Sequence, residues 1–295
     1  MNRAHDIQQW IFFIVALGLG LLVFSGIKLP QGVLFVVVAI LVAVVGLPHG
    51  ALDPLVARKA GLWRDPLGLA RFIGAYLLLA ALAGLLWVWA PEFSLAAFLA
   101  YSVWHFSGDW KDWLPRGWRV CVAATVICGP SLFYPELVVG YFSTLTGKDA
   151  TALVSVLQWL AIPALAGTIS SVARCSRTRP VVAAELAVVA VAALALPPLI
   201  FFLLYFCGLH SPRHLIDTVQ GMSRTTATAT AAGLTLLTIG LGALVFVLSA
   251  DSPQFDQRLL QITFIGLAVL TVPHMILIEH YAARARDDTD SGKIF

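Results

Sequence analysis

The sequence predicts an all-α fold: a polytopic integral membrane helical bundle of about ten membrane helices, with the N- and C-termini both cytoplasmic. Three observations predict it. Of the 295 residues, 59% are hydrophobic and only 12% are charged, about half the charged fraction of an ordinary soluble domain. Apolar runs approaching the roughly 20 residues that a membrane helix needs recur along the whole chain. Threaded in order, those runs sort nearly all the basic residues to one side.

Bounded by charges or prolines, the runs fall near 10–29, 31–48, 67–90, 93–108, 118–134, 150–173, 180–196, 198–210, 227–250 and 255–283. Two of them, 93–108 and 198–210, are short for a complete crossing and read as half-helices or as helices ending against protein. Between 135 and 149 the chain reads as a loop with an interfacial turn. The first run follows a single early arginine, Arg3, with no small-x-small cleavage site, so it reads as a retained helix rather than a signal peptide. No charge run, low-complexity tract or repeat divides the chain, which predicts one membrane domain over 1–295. Cys121, Cys128, Cys175 and Cys207 show no CxxC spacing and read as buried, inert thiols. A net charge of +3 without a basic, aromatic-interleaved run gives no reason to expect a nucleic-acid partner.

With the N-terminus inside, the inner segments receive Arg3; Arg58, Lys59, Arg64 and Arg71; Lys111, Arg116 and Arg119. They also receive Arg174, Arg177 and Arg179; Arg213 and Arg224; Arg284, Arg286 and Lys293. Only Lys28, Lys148 and Arg258 of the 19 basic residues fall outside. That is the bias of a multi-pass protein of the cell (inner) membrane, in contact with the lipid bilayer.

The same threading orders the seven histidines. His5 lies in the N-terminal tail and reads as solvated. His49 ends the second run, His105 the fourth, and His210 and His214 the eighth; His274 lies low in the tenth, with His280 one to two turns beyond. Five of them therefore share one depth near the cytoplasmic face, on four helices that run in the same direction. A single histidine at a helix end needs no special explanation, but five at one level point to a shared metal site, because ionisable groups in membrane segments tend to mark function. Neutral imidazole suits iron, copper, zinc and nickel. The absence of an accompanying thiolate cluster argues against iron–sulfur and structural zinc. Six candidate histidines are too few for the eight of a desaturase-type di-iron site, so a single metal is favoured. A haem held between two facing histidines is compatible with the set.

Acidic residues follow at repeated offsets: Asp53 four after His49, Asp109 four after His105, and Asp217 three after His214. On an unbroken helix such pairs share a face, and a carboxylate there holds the ligand's other N–H and fixes its tautomer. The competing reading is that acids simply collect at helix ends. Pro48, Pro54, Gly108 and Pro212 interrupt the geometry, and Pro212 reads as a possible new helix start capped by Ser211. Arg213 reads either as a partner for Asp217 or Asp109, or as one more residue following the positive-inside bias; the second reading is favoured.

Four motifs, "GLPHGALDP", "HFSGDW", "HSPRH" and "PHM", together resemble the Brp/Blh family of bacterial and archaeal β-carotene 15,15′-dioxygenases, over most of the chain. The resemblance implies a multi-span membrane enzyme that cleaves the central double bond of β-carotene or a related carotenoid with O2 to give two retinal molecules. It implies non-haem Fe(II) bound by His49, His105, His210 and His214, with His274 close to the site. Family members often carry more acids after His105 than the single Asp109 here. A polyene offers almost nothing to hydrogen-bond, so its recognition rests on tunnel shape and aromatic packing. Tyr101, Trp104, Phe106, Tyr205 and Phe206 lie next to the ligand positions and are assigned to substrate binding. A substrate dissolved in the bilayer reaches such a tunnel from the side.

Three other functions are weighed. A transporter or proton-conducting protein would scatter ionisable groups through the membrane, whereas here the middles of the spans are nearly free of charge, Glu185 being the main exception. An accessory factor for retinal-protein biogenesis is the alternative that the family itself offers. An opsin-like photoreceptor needs a mid-membrane lysine, and all five lysines lie in loops or tails.

Overall fold

Prolines open five of the helices. Pro66, Pro91, Pro135, Pro180 and Pro198 each stand at a first helical position, where the missing N–H would have had no intrahelical partner. In the computed structural model, which describes residues 3–27, 29–249 and 254–290 and side chains as far as 279, these starts punctuate an all-helical chain. The side chains of His280, Lys28, Arg284, Arg286 and Lys293 lie outside the described residues. The order is α1 Arg3–Phe24, α2 Gln31–Lys59, α3 Pro66–Trp89, α4 Pro91–Phe106, α5 Arg116–Phe133, α6 Pro135–Thr146, α7 Thr151–Cys175, α8 Pro180–Ala195, α9 Pro198–Val219, α10 Arg224–Leu248 and α11 Phe255–Asp290. No strand occurs among the described residues.

Seven of these helices are long and apolar enough to cross a membrane: α1, α2, α3, α7, α9, α10 and α11. Where ten crossings are expected, seven helices among the described residues reach this length and apolarity on their own. The 93–108 and 180–196 runs fold as helices of only 16 residues, α4 and α8, too short to cross alone by the usual rise per residue. The 118–134 run stops at Phe133, and the segment read as a loop is the helix α6, bent by 109° from α5. Counted as one broken span, that pair brings the total to eight. Conversely, the short 198–210 run continues through Pro212 to Val219 as a single 22-residue span.

The bundle exposes its apolar side chains outward. Leu78, Leu82, Leu85 and Trp89 of α3 and Leu237, Leu241 and Leu248 of α10 are exposed, as expected of helices solvated by hydrocarbon. Polar and charged side chains turn inward instead: Asp53, Asp109, Glu185, His210 and Arg213 are all buried. Close helix contact relies on small residues; a Cβ on Gly167 of α7 would lie 2.6 Å from Cys121 Cβ of α5. The most buried of the seven spans is α9 and the least is α10, so the helix with two of the histidines runs through the middle of the protein.

Candidate metal centre

Two widened turns place the histidines. In α2 the backbone runs as a π-helix over Val42–Gly46, and in α9 over Leu203–His210. Each precedes a proline, Pro48 and Pro212. A proline within a helix lacks its own N–H and its ring collides with the carbonyl four residues back; a π-turn opens the helix where that carbonyl stands. For Pro212 that carbonyl belongs to Gly208, and it accepts instead from Gln8 Nε2 of α1 at 2.8 Å. The helix therefore passes through "HSPRH" without a new start: Ser211 keeps right-handed helical backbone angles and caps nothing. In α2 the same opening lets His49 Nδ1 donate to the Gly46 carbonyl, three residues back. Since a carbonyl only accepts, His49 Nε2 is left as the free lone pair.

Five imidazoles converge. His210 has ring centroids 4.5 Å from His214, 5.0 Å from His105 and 5.6 Å from His49. His49 lies 5.1 Å from His274, and His105 lies 5.4 Å from His214 and 5.5 Å from His274. One nitrogen from each of His105, His210 and His214 comes within 4.8 Å of the other two. His49, His105, His210 and His274 are all at least nine-tenths buried. His5, by contrast, is at the periphery and bonds Asp217 at 2.9 Å.

The carboxylates serve different histidines from those their spacing suggests. Asp53 does not hold His49; it crosses to His274 Nδ1, at 2.8 and 3.0 Å from its two oxygens. Asp109 does not hold His105; it meets His210 Nδ1 with both oxygens at 3.1 Å and His214 Nε2 at 3.4 Å. The offset of four fails because neither stretch is a plain helix: Ala51 and Leu52 form a turn, and Ser107–Trp110 is a 3₁₀ segment. Asp217 leaves the site altogether for His5. Each bracing carboxylate is itself held by a tyrosine, Tyr205 Oη donating to Asp109 at 2.6 Å and Tyr76 Oη to Asp53 at 2.8 Å.

Behind the histidines lies a charge pair that spacing did not suggest. Arg213 gives one guanidinium nitrogen to Glu185 at 2.7 Å and another to the Asp109 carbonyl at 3.1 Å. Glu185 also accepts from Gln9 at 2.8 Å and Trp110 at 3.0 Å. Arg213 is therefore a buried structural cation, not merely a positive-inside residue. A lone tyrosine in an otherwise leucine-rich span was the available signal for Tyr76; nothing local marks Gln9 as a partner of Glu185.

In front of the histidines opens an apolar cavity whose space, counted out through its open mouth into solvent, is about 1230 Å³. His49, His105, His210 and His274 form part of its wall; Phe98, Leu99, Phe142, Phe202 and Phe264 line the remainder. Of the aromatics assigned to substrate, Phe106, Tyr205 and Phe206 line this cavity. Tyr101 and Trp104 do not: Trp104 points away, its Nε1 on Glu279 at 2.7 Å and its ring under Arg116 at 4.2 Å. Helical periodicity explains the split, since Ser102, His105 and Phe106 share the face of α4 turned to the cavity.

Gly46 is where the two π-turns touch. A Cβ there would stand 2.7 Å from Phe206 Cε1. Phe206 cannot retreat easily, because its ring stacks on Phe202 at 5.1 Å and on His210 at 5.7 Å. Gly46→Ala is expected to destabilise the protein by about 1–3 kcal/mol and to lower metal uptake by tilting His210. Thermal unfolding in detergent and metal analysis of the same samples check this; parent values for both would show that the ring yields.

Fold and site together define a multi-pass membrane protein in which a buried histidine cluster closes one end of an apolar cavity. A family model described as Beta-carotene 15,15'-dioxygenase matches residues 40–281. The chain is also 32% identical over 253 residues to a protein named Beta-carotene 15,15'-dioxygenase from uncultured marine bacterium 66A03, covering 81% of this chain and 90% of that one. The chain belongs to the β-carotene 15,15′-dioxygenase family. No solved structure matches it.

Proposed function

We propose that this protein cleaves the central double bond of β-carotene, or a related carotenoid, with O2 to give two retinal molecules, using Fe(II) held by His49, His105, His210 and His214. The observation that carries the reading is the junction of a large, aromatic-lined cavity with a cluster of histidine nitrogens. A long hydrocarbon needs the first and an O2-activating metal needs the second.

The residues present fit such an ion. Nitrogens of His105, His210 and His214 lie within 4.8 Å of one another, a little wider than the roughly 4.2 Å that bonds of about 2.0–2.1 Å would span across one ion, and the His49 ring stands 5.6 Å from that of His210. His49 and His210 each have Nδ1 engaged by an acceptor, which fixes the tautomer and directs Nε2 to the centre. His214, with Nε2 toward Asp109, has Nδ1 left to offer. Four neutral imidazoles would leave a ferrous ion its full charge, and the ion would supply activation of O2 for double-bond cleavage.

The rest is positioning by the chain. Phe98, Phe142, Phe202 and Phe264 grip the polyene by packing alone, since it presents no hydrogen-bonding group. Phe106 and Phe206 flank the histidines, His210 lying 4.7 Å from the first and 5.7 Å from the second, and keep water from the reacting bond. The Tyr205–Asp109 and Tyr76–Asp53 pairs hold the imidazoles at fixed angles. Overall, one O2 is consumed and each carbon of the broken bond takes one oxygen atom. The charge bias supports a cell (inner) membrane protein with this centre toward the cytoplasm.

Expression in cells engineered to accumulate β-carotene tests the reading. Bleaching with retinal as the product is expected. Unchanged colour with well-expressed protein, or apocarotenals of unequal length in place of retinal, would count against central cleavage.

A further inference from the structure

Resting on the metal centre just proposed, we infer that His274 is a fifth metal ligand, coordinating through Nε2, and not only a neighbour of the four. Its Nδ1 lies against both oxygens of Asp53, at 2.8 and 3.0 Å. A carboxylate only accepts, so Nδ1 carries the proton and Nε2 presents a bare lone pair. That lone pair is buried and has no hydrogen-bond partner among the described residues, in a side chain with 6% exposure. Buried polar atoms are nearly always partnered. Here the missing partner has to be a hydrogen-bond donor or a metal ion, and the ring stands on the cavity wall with His49 at 5.1 Å and His105 at 5.5 Å, among the nitrogens that would hold the ion.

The bracing repeats what surrounds His210. There, Tyr205 donates to Asp109, which holds Nδ1 and frees Nε2. On the opposite side, Tyr76 donates to Asp53, which does the same for His274. A carboxylate behind a histidine is how protein sites raise ligand basicity and fix ring orientation. The chain builds that device twice around one centre, from the 3₁₀ segment after α4 and from α9 on one side and from α2, α3 and α11 on the other.

Co(II), whose visible absorption reports coordination number, tests this in the purified full chain in detergent after chelator treatment. His274→Gln is expected to weaken Co(II) binding by at least about 100-fold and to change the absorption spectrum. Asp53→Asn, which keeps the volume, is expected to weaken it by about 10–100-fold. Far-UV circular dichroism should stay at the parent level in both. Parent affinity and parent spectrum in His274→Gln would overturn the inference. Should that variant not fold, unchanged affinity in Asp53→Asn overturns it equally. A parent protein that takes up neither Co(II) nor Fe(II) sinks the metal reading itself, a failure distinct from the other two.

Discussion

Replacing His210 with alanine is expected to empty the centre of metal and to leave carotenoid-producing cells coloured. His210 is the hub of the cluster, 1% exposed, with three other imidazoles within 5.6 Å of its ring and Asp109 behind it. Its loss removes a donor and strands the Asp109 carboxylate, so the fall in metal affinity should exceed the about 10–100-fold that losing an outer partner costs. His5→Ala serves as the control, because His5 meets only Asp217. Metal analysis of purified protein decides the matter: parent stoichiometry in His210→Ala would remove it from the ligand set. Retinal formation in the same cells should follow the metal content.

The second large effect concerns the buried Glu185–Arg213 pair. Arg213→Met leaves the Glu185 carboxylate with only the neutral donors Gln9 and Trp110, and Glu185→Gln leaves the guanidinium without its anion. Breaking a buried pair from one side costs about 3–5 kcal/mol. The double variant, Glu185→Gln with Arg213→Met, should regain most of that loss, because no uncompensated charge remains. Denaturant unfolding in mixed micelles measures all three. Single variants within about 1 kcal/mol of the parent would mean that the two charges do not depend on each other. Because Arg213 also holds the Asp109 carbonyl at 3.1 Å, the Arg213 variant should weaken metal binding more than the Glu185 variant.

Hydropathy and histidine position were enough to expect these histidines near one another, as their rings are, and packing decided the rest. His49, His105, His210 and His274 could be brought to one level by counting spans, because depth in a bilayer depends on chain length between crossings. The count of ten nonetheless exceeded the seven long helices found. Apolar runs such as 93–108 and 180–196 do not reveal in advance that they stop after 16 residues. Which acid serves which histidine was beyond sequence spacing. Asp53 with His274 is a contact between residues 221 apart, set by how α2 and α11 pack. The offset of four that pointed to His49 lost its meaning once a turn intervened. The π-turns were equally hidden, although both sit just before a proline and that pairing is a usable signal. Tyr101 and Trp104 show the limit of proximity along the chain: they flank His105 in sequence yet face away from the cavity it borders.

Glu185 and Arg213 sit in consecutive apolar segments, α8 and α9, joined by a short turn at Leu196 and Pro197. Each charge alone is expensive in hydrocarbon, on the order of 2.5–3.5 kcal/mol at mid-helix for arginine. α8 is also only 16 residues long, so it is a poor candidate to enter the bilayer unaided. Joined as a hairpin, the two segments cancel each other's charge and share one helical interface. The ribosome delivers Glu185 first, and the segment carrying it gains its counter-ion only when α9 emerges. Membrane integration of this region is thus expected to be a two-helix event, with α8 held in the lipid only once Arg213 has been made.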